Sequence, residues 1–190
     1  MIKLSATVIT FNEEHNIARC LEALKNVADE IVVIDSFSTD NTEAICEEYG
    51  VKFMKNKFEG HIEQKNFALE QTEFDNILSV DADEVLSPEL QRSILKMKQK
   101  MDFDGYVFNR LNNYCGKWIY HCGWYPDKKL RIIKKGKAKW LGENPHDFLK
   151  LNNSEQKEGF LSGDLHHYSY SSISEHVAQA NRFTSISSKV

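Results

Sequence analysis

The sequence predicts an α/β fold, a mostly parallel sheet with helices on both faces followed by a mixed, aromatic-rich half. Three observations carry this. Short runs of apolar and β-branched residues alternate four times with stretches of helical period over residues 1–102. Two of those runs, Glu30 to Ile34 and Ile77 to Val80, are almost continuously apolar, as strands covered on both faces are. From about residue 103 the helical period fades and aromatic residues crowd in, among them Tyr106, Phe108, Tyr114 and Trp118. Strand–helix repeats of this kind pack as parallel strands joined by right-handed crossovers.

The elements follow in order. Leu4 to Thr10 is the first strand, and Glu13-Glu14-His15-Asn16 leads into a helix whose Ile17, Cys20, Leu21 and Leu24 fall three and four apart. Glu30 to Ile34 is the second strand. Ser38-Thr39-Asp40-Asn41 offers capping residues to a helix carrying Ala44, Ile45 and Tyr49, which Gly50 ends, and Val51 to Met54 is the third strand. A helix around Gln64 to Gln71 precedes the fourth strand, Asn76 to Val80. Ser87-Pro88-Glu89 then sets an N-cap and a proline at the first helical position, for a helix through Ile94, Leu95 and Met101. In the back half the expected strands are Gly105 to Arg110, Lys129 to Ile133 and Ala138 to Leu141. The chain closes in a helical stretch, Ile173 to about Ser188, whose stripe of Ile173, Val177, Ala180, Phe183 and Ile186 is expected to pack on the domain. That stretch has no clear stop signal, so a truncated C-terminus is expected.

Composition narrows the function classes. Lys plus Arg number 24 against 28 for Asp plus Glu, a formal net charge of -4, too mild a field to gather a polyanion, so no nucleic-acid partner is expected. Apolar residues make up 41% and charged residues 27%, which excludes wholesale disorder. No apolar run approaches the roughly 18 residues of a membrane span. Met1-Ile2-Lys3 runs straight into a strand instead of a leader, and four scattered cysteines lack a C-x-x-C pair. Those features predict reduced thiols and a cytoplasmic location. The basic run Lys134-Lys135-Gly136-Lys137-Ala138-Lys139 fits either a solvated hairpin tip or a peripheral contact with anionic lipid on the inner membrane face.

In open parallel sheets ligands bind beyond the carboxyl ends of the strands. The fourth strand ends there in Asp81-Ala82-Asp83-Glu84, three carboxylates within four positions. Such a group repels itself unless positive charge intervenes. A hard divalent cation bridging to phosphate oxygens would supply it; an acidic turn capping the helix at Ser87-Pro88 is the alternative. The first and second strands end in Thr10-Phe11-Asn12-Glu13-Glu14 and Asp35-Ser36-Phe37-Ser38-Thr39-Asp40. Neither turn contains G-x-G-x-x-G or G-x-x-x-x-G-K, which removes the dinucleotide and P-loop readings.

These two turns, with Gln64-Lys65-Asn66-Phe67-Ala68-Leu69 and Asp81-Ala82-Asp83-Glu84, occur in the order found in family 2 glycosyltransferases of the GT-A fold. The chain resembles most the bacterial branch with lipopolysaccharide-core β-glucosyltransferases. The likeness continues through His121-Cys122-Gly123-Trp124-Tyr125-Pro126-Asp127, Leu130-Arg131 and His167-Tyr168-Ser169-Tyr170, over nearly the whole chain. It implies one domain over residues 1–190, with a nucleotide-sugar half at 1–102 and an acceptor half at 103–190. The implied reaction is inverting sugar transfer from a nucleoside-diphosphate sugar, a UDP-sugar first among them, to a saccharide or lipid-linked acceptor. Its setting would be cell-envelope polysaccharide or lipopolysaccharide synthesis, with Mg²⁺ or Mn²⁺ as cofactor.

By the same resemblance Thr10, Phe11, Asn12 and Glu13 line the base and ribose pocket, with Asp35 beside them. Asp81 and Ala82 face ribose or diphosphate, Lys65 faces the phosphates, and Asp83 and His167 hold the metal. Many relatives carry a second Asp where this chain has Ser36. Inverting transfer also needs a base on the acceptor side. Asp147 occupies the position where close relatives have Glu after His, and Glu143 is the second candidate. Trp124 and Tyr125 could stack on an acceptor sugar, with Arg131 near an anionic group. The alternatives are a metal-dependent nucleotidyltransferase and a non-catalytic carbohydrate-binding domain.

Overall fold

The computed structural model describes residues 1–144 and 146–187; Pro145, Ser188 and the side chains of Phe183 and Ile186 lie outside the described residues. In chain order the elements are β1 (Leu4–Thr10), α1 (Ile17–Leu24), β2 (Glu30–Asp35), α2 (Thr42–Glu48), β3 (Lys52–Lys55), α3 (His61–Glu70), β4 (Asn76–Asp81), β5 (Glu84–Leu86) and α4 (Pro88–Met97). The back half adds β6 (Gly105–Tyr114), β7 (Lys117–Trp118), β8 (Asp127–Lys134), β9 (Ala138–Glu143), β10 (His146–Leu151), β11 (Glu158–Tyr170) and α5 (Ile173–Ser187). Strands run in the order β3-β2-β1-β4-β8-β6-β11-β5, with β7 on β6, while β9 and β10 pair as a separate hairpin.

The first four strands are parallel, as the repeats require, and β8 is the first antiparallel addition. β1 is buried along almost its whole length because α1 and α4 pack on one face and α3 lies on the other. The α1 stripe of Ile17, Cys20, Leu21 and Leu24 goes into the main core with Leu78, Ile94, Phe108, Ile132 and Leu165. Burying each such large side chain contributes about 1.5–3 kcal/mol. A second core under the β9–β10 hairpin gathers Ile77, Ile133, Trp140 and Leu149.

β4 and β5 are separated in sequence only by Ala82 and Asp83, yet β8, β6 and β11 intervene between them in the sheet. The sheet therefore curls until its far edge returns to the end of β4. The acidic turn is the seam where it closes.

Two expectations need correction. No strand was expected over 158–170, but β11 is the longest in the molecule. It carries two glycines and mixed polarity, so its pattern is that of a loop. Its order comes from pairing with β6 on one side and β5 on the other. At Gly163 (φ +98°) the strand presses on α4, where an added Cβ would stand 2.3 Å from the Leu90 nitrogen. Ser87 ties the two together, its hydroxyl accepting from the N–H groups of Leu90 (3.2 Å) and Asp164 (3.0 Å). In the described part of the α5 stripe the side chains do not pack as expected either: Ile173 is 67% exposed and Val177 55%. The helix is fastened instead through His176, whose ring stacks on Tyr170 at 4.3 Å and whose Nδ1 lies 3.0 Å from the Tyr114 hydroxyl. Among the described residues no helix is long and apolar enough to cross a membrane.

Candidate active site

Thr10 pairs in register with Asp35 and Ile9 with Asp81, so the carboxyl ends of β1, β2 and β4 stand side by side. The loops that follow β1 and β2 are buttoned together by short polar side chains. The Asn12 N–H donates to Ser38 Oγ at 2.8 Å, and Asn12 Oδ1 accepts from the Thr39 N–H at 2.8 Å. The Glu13 N–H donates to Thr42 Oγ1 (2.9 Å) and the Glu14 N–H to Asp40 Oδ2 (3.1 Å). Asp35 is wholly buried and accepts from the Ser38 N–H at 2.8 Å and from the Ser38 hydroxyl. Phe11 is left exposed at the edge. Burial pushes the Glu13 carboxyl up to about 7, with Asn16 opposing the shift and Asp83 and Glu175 adding to it.

At the seam the Asp81 N–H donates to Glu84 Oε2 at 3.0 Å. Glu84 is buried against Arg131, whose Nη2 lies 2.7 Å from Glu84 Oε1 and 3.7 Å from Asp81. Ala82 is buried between the two aspartates. Asp83 faces His167 on β11, carboxylate to Nε2, at 3.1 Å. Behind it, His167 Nδ1 lies 2.6 Å from Asn112 Oδ1. Burial works against the imidazolium, but the neighbouring Asp83 outweighs it and raises the His167 pKa.

Lys65, on α3, reaches between the end of β4 and the β9–β10 hairpin against which α3 packs. Its Nζ lies 2.8 Å from Asp147 Oδ2 on β10, 3.0 Å from Asp81 Oδ1, and 4.2 Å from the centre of the Trp140 ring. Burial pushes the Asp81 carboxyl up, yet Lys65 and Arg131 overcome it and hold the carboxyl well below the usual range. Glu143 sits exposed at the end of β9, opposite His146 in register. Trp124 lines a cavity of about 330 Å³ with Arg110, Asn112, Asp127, His167 and Tyr170. Tyr125 donates its hydroxyl to Asp164 at 3.1 Å.

The structure thus gathers Asp81, Asp83, Lys65, Asp147 and His167 around one seam. Arg131 differs from its expected acceptor role. It is only 3% exposed because both faces of β8 are covered, and its charge is balanced internally by Glu84. Asp127, which closes the His121 to Asp127 motif, lines the cavity with Arg110, its partner across β6 and β8 at 2.9 Å, and Arg110 is the residue the sequence did not single out. Within the basic run Lys135 donates to the carbonyls of Glu70 (3.2 Å) and Thr72 (2.6 Å), closing the end of α3. Lys134 lies 3.6 Å from Asp104.

A parallel α/β sheet curled onto an acidic turn, with a cavity beside it, is the GT-A architecture of sugar transferases. The chain belongs to glycosyl transferase family 2, which matches residues 5–172, and is a glycosyltransferase. A glycosyltransferase of Rickettsia felis is 34% identical over 202 residues, spanning 100% of this chain and 70% of that protein. The lipopolysaccharide core biosynthesis glycosyltransferase LpsC of Rhizobium meliloti is 28% identical over 197 residues, spanning 97% of this chain and 70% of LpsC. The fold superposes on S. aureus TarS 1–349, solved in complex with UDP-GlcNAc, with a TM-score of 0.63 at 19% identity. That match covers 89% of this chain but 59% of the TarS chain, under two thirds of its length.

Proposed function

We propose that the protein moves a sugar, with inversion, from a nucleoside-diphosphate sugar to a saccharide or lipid-linked acceptor of the cell envelope. A UDP-sugar is the favoured donor. TarS was solved with UDP-GlcNAc, and LpsC is named for lipopolysaccharide core biosynthesis. The observation that carries the reading is the placement of three carboxylates around one seam, Asp81 and Asp83 at the end of β4 and Asp147 on β10.

In this division of labour the loops of Thr10 to Glu13 and of Asp35 hold the base and ribose, and Asp81 faces the diphosphate. Asp147 takes the proton of the acceptor hydroxyl as its oxygen attacks the anomeric carbon. The bond from that carbon to the diphosphate breaks, its electron pair leaves on the phosphate oxygen, and the configuration inverts. Trp124 offers a stacking face for the acceptor. Among the described residues no three metal-binding groups cluster together. Asp83 and His167 nevertheless fit Mg²⁺ or Mn²⁺, because such ions take few protein ligands and fill their shell from phosphate oxygens and water. Bound there, the ion would neutralise charge developing on the leaving diphosphate.

The test is thermal stability with UDP, in Mn²⁺ or in EDTA. UDP should stabilise the wild type more with Mn²⁺, and Asp83→Asn should lose that increment while melting normally without ligand. No stabilisation by UDP in either medium rejects the donor assignment. UDP binding with no sugar transfer would favour a non-catalytic carbohydrate module.

A further inference from the structure

The position of Lys65 points beyond a phosphate contact. It stands on α3 with its side chain only 7% exposed, and its ammonium lies between carboxylates from two distant parts of the chain. Two carboxylates and the Trp140 face together occupy the three donors of an ammonium. The two carboxylates are not equally dependent on it. Asp81 has Arg131 at 3.7 Å as a second cation and is 25% exposed toward the site. Among the described residues Lys65 is the one cation within ion-pair distance of Asp147, which is 11% exposed.

We propose that Lys65 is a positioning residue that holds Asp147 until a donor arrives, and that the donor diphosphate then takes Lys65 over and frees Asp147. This rests on the reading of Asp147 as base and of Asp81 as the diphosphate side. A carboxylate oxygen that accepts a short bond from an ammonium is a poorer proton acceptor. A diphosphate brings more negative charge to Lys65 than either single carboxylate. Arg131 remains beside Asp81 when Lys65 turns, so the donor side keeps its compensation. The arrangement makes binding ordered, donor before acceptor. It also keeps the base idle while no anomeric carbon is in place.

The consequence has an unusual sign. UDP must compete with Asp147 for Lys65, so removing the Asp147 charge strengthens nucleotide binding. The experiment is calorimetric titration of UDP into wild type, Asp147→Asn, Lys65→Met and the double variant, with Mn²⁺ present. Asp147→Asn should tighten UDP by about fivefold or more, the lower end of typical coupling between sites. Lys65→Met should weaken it by about tenfold, and adding Asp147→Asn to Lys65→Met should change affinity by less than about twofold. Unchanged or weaker binding in Asp147→Asn overturns the proposal. Equal tightening with and without Lys65 also overturns it, because the effect would then be general charge removal. Should Lys65→Met not fold, Lys65→Gln takes its place in the same comparison, alone and combined with Asp147→Asn. A wild type that binds no UDP would instead reject the donor assignment on which the proposal rests.

Discussion

The two sides of the seam are held in different ways. On the β1–β2 edge, position is set by many separate hydrogen bonds: backbone N–H groups, short side chains such as Asn12, Ser38 and Thr42, and the carboxylates of Asp35 and Asp40 close two loops on each other. Several bonds share the load, and each contributes about 0.5–1.5 kcal/mol net. On the β8–β10 side, position is set by ion pairs, buried for Arg131 with Glu84 and Lys65 with Asp147, and half-buried for Arg110 with Asp127. Buried ion pairs add little net stability, but breaking one leaves an uncompensated charge. The first side is therefore a rigid cradle. The second can be rearranged only by something that replaces the lost charge, which is the part proposed above for the donor diphosphate.

The largest effect expected from this contrast is kinetic. Asp147→Asn should slow sugar transfer by about a hundred- to ten-thousand-fold, measured as UDP release from a UDP-sugar with acceptor present. A variant transferring at more than about a tenth of the wild-type rate would move the role to Glu143 or to a bridging water. Next comes stability on the charged side. Glu84→Gln leaves Arg131 without its short-range partner and should cost about 3–5 kcal/mol in urea unfolding. A loss under about 1 kcal/mol would mean Asp81 alone can balance Arg131.

The cradle side should respond less, and to pH. The Glu13 carboxyl titrates near 4.5 when unfolded and is pushed up to about 7 in the fold by burial. Its contribution is complete below pH 4.5, declines as pH rises through 7, and stays lost above that. Glu13→Gln should match the wild type at pH 4 and exceed its stability at pH 8 by about 1–3 kcal/mol. Parallel stability curves for the two proteins over that range would show that Glu13 titrates normally.

Much of this was legible in the sequence, for local reasons. β1, β2 and β4 were read closely because strands covered on both faces must be apolar throughout, and the Ser87-Pro88 cap fixed the start of α4. The acidic turn was legible because three carboxylates follow a buried strand directly. Order that comes from distant partners was not. β11 reads as a loop without β5 and β6 beside it. Lys65 and Asp147 are neighbours only because α3 packs on the β9–β10 hairpin. Arg131 looks like a surface residue between Leu130 and Ile132, since alternation reveals an open face only where one exists.

The closing of the sheet at the acidic turn also dictates when the site comes into being. Leu86 meets Leu165, and the Tyr168 N–H donates to the Asp83 carbonyl at 3.0 Å, so the turn is clamped by a strand far downstream of it in the chain. The loops of β1 and β2 can button together while the chain is still emerging, since their partners are close in sequence. Asp83 and His167 meet only after a long-range closure, the slow kind of step in folding. A nascent chain can therefore close the loops of β1 and β2 on each other well before it can bring Asp83 to His167.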